Sequence, residues 1–134
     1  MDKLIDAALG IQPRALTVAA RRLELLAANM ANADTPGFKA RDIDFRTALQ
    51  NALDTANANA STLTTTSPGH LQPEAQTPAG PPQYRIPNHP SLDGNTVDTQ
   101  LEQAAFAEVA VRYQASLDFI DGSVSELRRA LRGE

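Results

Sequence analysis

Hydrophobic and polar positions alternate along this chain at helical spacing near both ends and lose that order between them. Ile5, Leu9, Gln12, Leu16, Ala19, Leu23, Leu26 and Met30 recur at alternating steps of four and three residues, and all but Gln12 are apolar. Near the C-terminus Phe106, Ala110, Tyr113, Leu117, Ile120, Val124, Leu127 and Leu131 repeat the same steps without a polar exception. An apolar residue every three and a half positions lays a stripe along one side of a helix, so the pattern predicts two long amphipathic helices. At about 1.5 Å of rise per residue each stripe is roughly 37 Å long, so the two match and can pair in either direction. Downstream of the first stripe, Phe45, Leu49 and Leu53 are enough for one short amphipathic helix.

Breakers divide the chain into four parts. Residues 1–34 form the first helix, with a break near 10–13, because Gly10 and Pro13 interrupt it and proline is tolerated only in a first turn. Residues 35–54 hold a turn, an extended arm and the short helix. Thr35-Pro36-Gly37-Phe38 fits a type II turn, with proline second and glycine third, and Asn32 and Asp34 precede it as stop signals. Residues 55–96 carry seven of the nine prolines, all between Pro68 and Pro90, among many Ser, Thr and Asn. Such composition buries little, so this part reads as a flexible insertion. Residues 97–134 contain no proline and form the second helix. The predicted fold is therefore all-α: long N- and C-terminal helices paired as a coiled coil, with an extended arm and a flexible Pro-rich middle.

Composition narrows the chemistry. The 134 residues hold 12 Lys and Arg against 16 Asp and Glu, a net charge of −4, which gives no basic field for nucleic acid. There is no cysteine, so disulfides, thiolate metal sites and cysteine nucleophiles are excluded. His70 and His89 lie in the Pro-rich part, where nothing rigid would hold a catalytic or metal-binding geometry. Asp42/Asp44 and Asp118/Asp121 read as solvated faces or caps, because no thick core encloses them to raise a carboxylate pKa. No phosphate loop, nucleophile elbow or metal-spaced cluster is present, so the sequence predicts no catalytic residue, no cofactor, no metal and no small-molecule substrate. Arg128, Arg129 and Arg132 at the end of the second helix read first as compensation of its dipole and second as a patch for an acidic partner. Asn59-Ala60-Ser61 matches a glycosylation acceptor only by coincidence of spacing. No apolar run approaches the ~20 residues needed to span a membrane, and the N-terminal residues have no apolar stretch of the signal-peptide kind. A core one helix pair thick leaves ordering entropy uncompensated, so the helices are expected to draw stability from neighbouring subunits.

Two quoted stretches carry a resemblance. Residues 29–45 read NMANADTPGFKARDIDF, a helix ending in Ala-Asn followed by an Asp-Thr-Pro-Gly-Phe turn. The second stretch is Asp93-Gly94-Asn95-Thr96-Val97-Asp98, followed by Phe106-Ala107-Glu108 and Tyr113-Gln114-Ala115-Ser116-Leu117. Together they resemble the bacterial flagellar axial proteins, and the proximal rod class in particular, with only the Pro-rich middle unmatched. Val109 departs from the resemblance, which leads one to expect a polar residue there.

The resemblance implies a structural subunit of the flagellar basal-body rod, polymerised through its terminal helices into a drive shaft that transmits torque. It implies export through the flagellar type III apparatus without a cleavable signal peptide and a place in the rod within the periplasmic space. Expected partners are further copies, other rod proteins, the MS ring, FliE and the export gate. Helix and subunit packing then falls to Leu16, Leu23, Leu26, Met30, Phe106, Tyr113, Leu117, Ile120, Val124 and Leu127. The turn and arm fall to Asn32, Thr35, Pro36, Gly37, Phe38, Ile43 and Phe45, with Phe38, Ile43 and Phe45 anchoring on an adjacent subunit. The alternative is a soluble helical adaptor or export chaperone that holds a partner's amphipathic helix on its exposed stripe.

Overall fold

A computed structural model describes residues 9–58, 80–87, 89 and 91–133. It is mostly helical: α1 (Gln12–Ala31), β1 (Arg41–Asp42), α2 (Phe45–Ala58), β2 (Gln83–Tyr84) and α3 (Thr99–Arg132) follow in chain order. Strands β1 and β2 form an antiparallel pair in which Arg41 faces Tyr84 and Asp42 faces Gln83.

Each helix begins and ends where local chemistry allows. Gly10 turns the chain with φ +61, and α1 starts at Gln12 with Pro13 in its first turn, where a missing N–H costs nothing. Asn32 closes α1, its backbone N–H and side-chain amide both reaching the Ala28 carbonyl, at 3.2 and 2.8 Å. Asp44 opens α2 by accepting the Arg46 and Thr47 amides, and Asp98 opens α3 by accepting those of Gln100 and Leu101. Gly133 ends α3 in the left-handed conformation, with its N–H donating to Ala130.

Helix α1 is buried on two sides. Val18 and Leu25 pack on Ile43, Ala48 and Ala52 of the arm and α2. Ala19 and Leu26 pack on Val109 of α3, with Leu23, Ala105, Phe106 and Tyr113 half-buried around them. Phe45 touches both clusters. The single stripe expected on α1 is thus one of two adjoining faces. Val18 and Leu25 are off that stripe yet buried, while Leu16, Leu23 and Met30 on it are only half-buried. A helix covered by two partners buries a broad arc, and a two-per-heptad stripe describes only part of it. Ile5 and the rest of 1–8 lie outside the described residues.

The buried positions of α3 are Glu102, Val109 and Ser116, seven residues apart, flanked by Phe106 and Tyr113. Asn29 in the last turn of α1 bonds Glu102 in the first turn of α3, so the two helices run antiparallel. The resemblance leads one to expect a polar side chain at Val109, but the site has no exposed surface and lies between Ala19 and Leu26, where an apolar residue fits. Past Ser116 the apolar stripe continues over Leu117 and Ile120, half-buried, to Val124 and Leu127, each 39% exposed, and Leu131, 87% exposed. At 20 and 34 residues, the helices are about 30 and 51 Å long, and the excess is the distal part of α3.

Within the Pro-rich part, residues 80–87 and 91–96 return along the core as a strap, and β2 lies within it. The part from 59 to 79, with His70 and Asn59-Ala60-Ser61, lies outside the described residues. Leu26→Ala, which empties the centre of the α1–α3 contact, should cost about 2–5 kcal/mol in urea unfolding followed by circular dichroism, whereas the exposed Leu127→Ala should stay within about 0.5.

Candidate assembly site

The turn after α1 and the segment before α3 are far apart in sequence and interlock in space. Phe38 N–H donates to Thr35 at 3.2 Å across Pro36-Gly37, and Gly37 takes φ +71, as the third position of a type II turn requires. Asn95, buried, donates its side-chain amide to the carbonyls of Asn32, Ala33 and Thr35 at 3.0, 2.7 and 3.0 Å. Gly37 N–H reaches the Asp93 carbonyl at 2.9 Å, and Thr96 N–H reaches that of Phe38 at 3.0 Å. The Thr96 hydroxyl accepts from Ala40 N–H at 2.8 Å, and Lys39 Nζ donates to the Gly94 carbonyl at 2.7 Å. Gly94 also has a positive φ, +76, so a side chain there would be strained in backbone.

Beneath this junction a charged network crosses four segments. Arg22 on α1 donates Nε and Nη2 to the two carboxylate oxygens of Asp42 on β1, both at 2.9 Å. Arg85 on the strap donates to Asp42 and to Glu102 of α3, both at 2.6 Å. Asn29 completes it, donating Nδ2 to Glu102 at 3.1 Å and to the Arg41 carbonyl at 2.8 Å, while its Oδ1 accepts from Arg41 N–H at 3.0 Å. Glu102 is 0% exposed, and no buried side-chain polar atom among the described residues lacks a partner. Burial alone would raise the Asp42 pKa, but hydrogen bonds from Arg22 and then Arg85 outweigh it and hold the carboxyl below its usual range. The same Asp42 bond raises the Arg22 guanidinium against the opposing effect of burial.

The residues expected to pack are distributed unevenly. Leu23, Leu26, Phe106 and Tyr113 share one cluster, Leu26 at its centre. Leu16, Met30, Leu117 and Ile120 are half-buried, and Val124 and Leu127 are exposed. Within the arm, Thr35, Pro36 and Gly37 are exposed and Phe38 is half-buried. Ile43 and Phe45, expected to anchor on an adjacent subunit, pack within this chain, because the arm folds back over α1 and α2. Outward apolar surface on this side belongs instead to the strap, where Tyr84 and Ile86 point away while Arg85 between them points in. Arg85 was hidden by its proline-rich surroundings. The available signal is that it is the sole Asp, Glu, Lys or Arg between Glu74 and Asp93.

His89 is exposed on the rim of an open polar hollow of about 420 Å³, with Pro87, Ser91 and Thr99 among its walls. Among the described residues no three His, Cys, Asp or Glu side chains gather closely enough to hold a metal ion, and no helix is long and apolar enough to cross a membrane.

Comparison with known proteins bears on the whole chain. A family model described as "Flagella basal body rod protein" matches residues 9–39. The flagellar basal body rod protein FlgB of Escherichia coli K12 is 47% identical over 135 aligned positions, covering 98% of this chain and 97% of that protein. FlgB of Aeromonas hydrophila is 46% identical over 96% of both chains, and that of Cereibacter sphaeroides 43% over 94% of both.

Removing Arg85 leaves the Glu102 carboxylate buried without its cation. Arg85→Leu should cost about 3–5 kcal/mol in urea unfolding, and adding Glu102→Leu should recover most of that loss. The depressed Asp42 pKa adds stability that is complete above its unfolded value near ~4 and is lost as pH falls through the native value. Urea midpoints measured from neutral to acid pH should therefore decline less steeply below about pH 4 in Asp42→Asn than in the parent.

Proposed function

The chain belongs to the FlgB family of flagellar basal body rod proteins, and from that membership we propose how this subunit works within the rod. It is a structural protein of the flagellar basal body, and its relatives across nearly their full length are rod proteins, which disfavours the adaptor or chaperone alternative. We read it as a noncatalytic subunit at the proximal end of the rod, delivered through the flagellar export apparatus and working where the rod crosses the periplasm. Its neighbours would be further copies, other rod proteins, and at the base the MS ring, FliE and the export gate.

The observation that carries the mechanism is the unequal length of the helix pair. Helix α1 and the proximal half of α3 are locked to the arm and strap, while Val124, Leu127 and Leu131 extend the apolar stripe into solvent. Coiled-coil pairing of Val124 and Leu127 with a neighbouring subunit would cover that part of the stripe and convert separate subunits into a continuous helical wall. Contacts between unlike faces of identical subunits, when their rotation does not close a ring, repeat helically and build a tube able to carry torque.

Leu127→Asp tests this, because residue 127 is partly open in the isolated chain and its charge becomes buried only on assembly. The purified variant should keep the parental circular dichroism and urea midpoint, yet a strain relying on it should yield no basal-body rods and fail to swim. Normal swimming would defeat the reading.

A further inference from the structure

The two ends of the molecule carry opposite charge, each around an exposed leucine. At the distal tip of α3, Arg128, Leu131 and Arg132 stand at i, i+3 and i+4, on neighbouring positions of one face, with Arg129 beside them. All four are exposed, Leu131 at 87%, and none of the arginines has an ion-pair partner among the described residues. At the opposite end, the interlocked turn and pre-α3 segment bring Asp34 and Asp93 to one surface, beside the wholly exposed Leu92. The cation in that neighbourhood, Lys39, is turned onto the Gly94 carbonyl. The Asp93 carboxyl is held ionised by Ser91, the Asn95 amide and the Lys39 charge, while Asp34 has no ion-pair partner among the described residues.

We propose that these ends are the two halves of one contact: the arginine-flanked Leu131 tip of one copy seats on the Asp34–Asp93–Leu92 surface of the next. This rests on the rod reading and adds the residues that join successive copies and set their polarity. Compensation of the helix dipole accounts for basic residues at the end of α3, but it does not call for an exposed apolar side chain among them. Charge complementarity names the occupant, since the partner of each end is displayed on the other end of the same chain. Such a contact joins unlike surfaces, so it aligns every copy in one direction and, where its rotation does not close a ring, propagates as an open assembly. Its opposed charges steer the encounter and penalise the reversed, tip-to-tip arrangement, which would bring six arginines together.

The test is sedimentation velocity of the purified full-length chain over a range of concentrations, at low and high salt. The parent should self-associate, and added salt should weaken it as exposed charges are screened. Reversing the tip with Arg128→Glu and Arg132→Glu should raise the concentration needed by roughly tenfold or more. Adding Asp34→Arg to that same chain should restore association, since attraction then runs in the opposite sense. Asp34 supports no ion pair and all three sites are exposed, so unchanged circular dichroism will confirm that each variant folds. A parent that does not associate, an unaffected tip variant, or a loss that Asp34→Arg fails to restore would each overturn the contact. A strain that swims normally on the tip variant would likewise overturn it while leaving membership of the rod intact.

Discussion

A carboxylate without any exposed surface is the constraint around which this chain is organised. Glu102 enters the fold in the first turn of α3, and such a charge is tolerated only when its oxygens are bonded and a cation lies against it. Arg85 supplies the cation from the strap and Asn29 the second donor from α1. Because Arg85 also bonds Asp42, which Arg22 grips from the other side, satisfying one carboxylate fixes the mutual positions of α1, β1, the strap and α3. Apolar packing of Leu26 on Val109 contributes adhesion but would tolerate sliding, whereas fork-shaped arginine contacts hold one register.

The same logic explains why the two stretches carrying the family resemblance lie so far apart in sequence. Neither is a self-sufficient turn. The carbonyls left exposed where α1 ends at Asn32 need donors, and the Asn95 side chain supplies them from the second stretch. Gly37 and Gly94 supply the positive φ that the two turns need. The junction thereby aims α3 along α1, and the aim of α3 decides where its uncovered distal surface points.

How much of this could be read beforehand depends on how local the deciding interaction is. The turn at Pro36-Gly37 and the helical character of both ends follow from neighbours a few residues away, and they are visible in the chain. The second buried face of α1 is not, because Val18 and Leu25 acquire their role only when the arm folds back beneath them. Arg85 is the extreme case. Its surroundings are proline-rich and its partners lie 43 and 17 residues away, so composition points to a loose segment while long-range charge pairing dictates an ordered strap. Ile43 and Phe45 show the converse: their apolar character was legible, but whether they meet this chain or another depends on the path of the arm.

The antiparallel helix pair has a mechanical consequence. Its contacts form a series of rungs, from Ala19 and Leu26 against Val109 along the helices to Asn29 and Glu102 where α1 ends. A pull applied at the N-terminal end of α1 loads these rungs one after another, as in a zipper, and not all together as in shear. Each step then requires only a small force, and the ionic cluster, where all four segments meet, is the last to yield. A chain threaded by its leading end can thus be unwound gradually, while the same chain loaded sideways within a rigid wall must break many contacts at once.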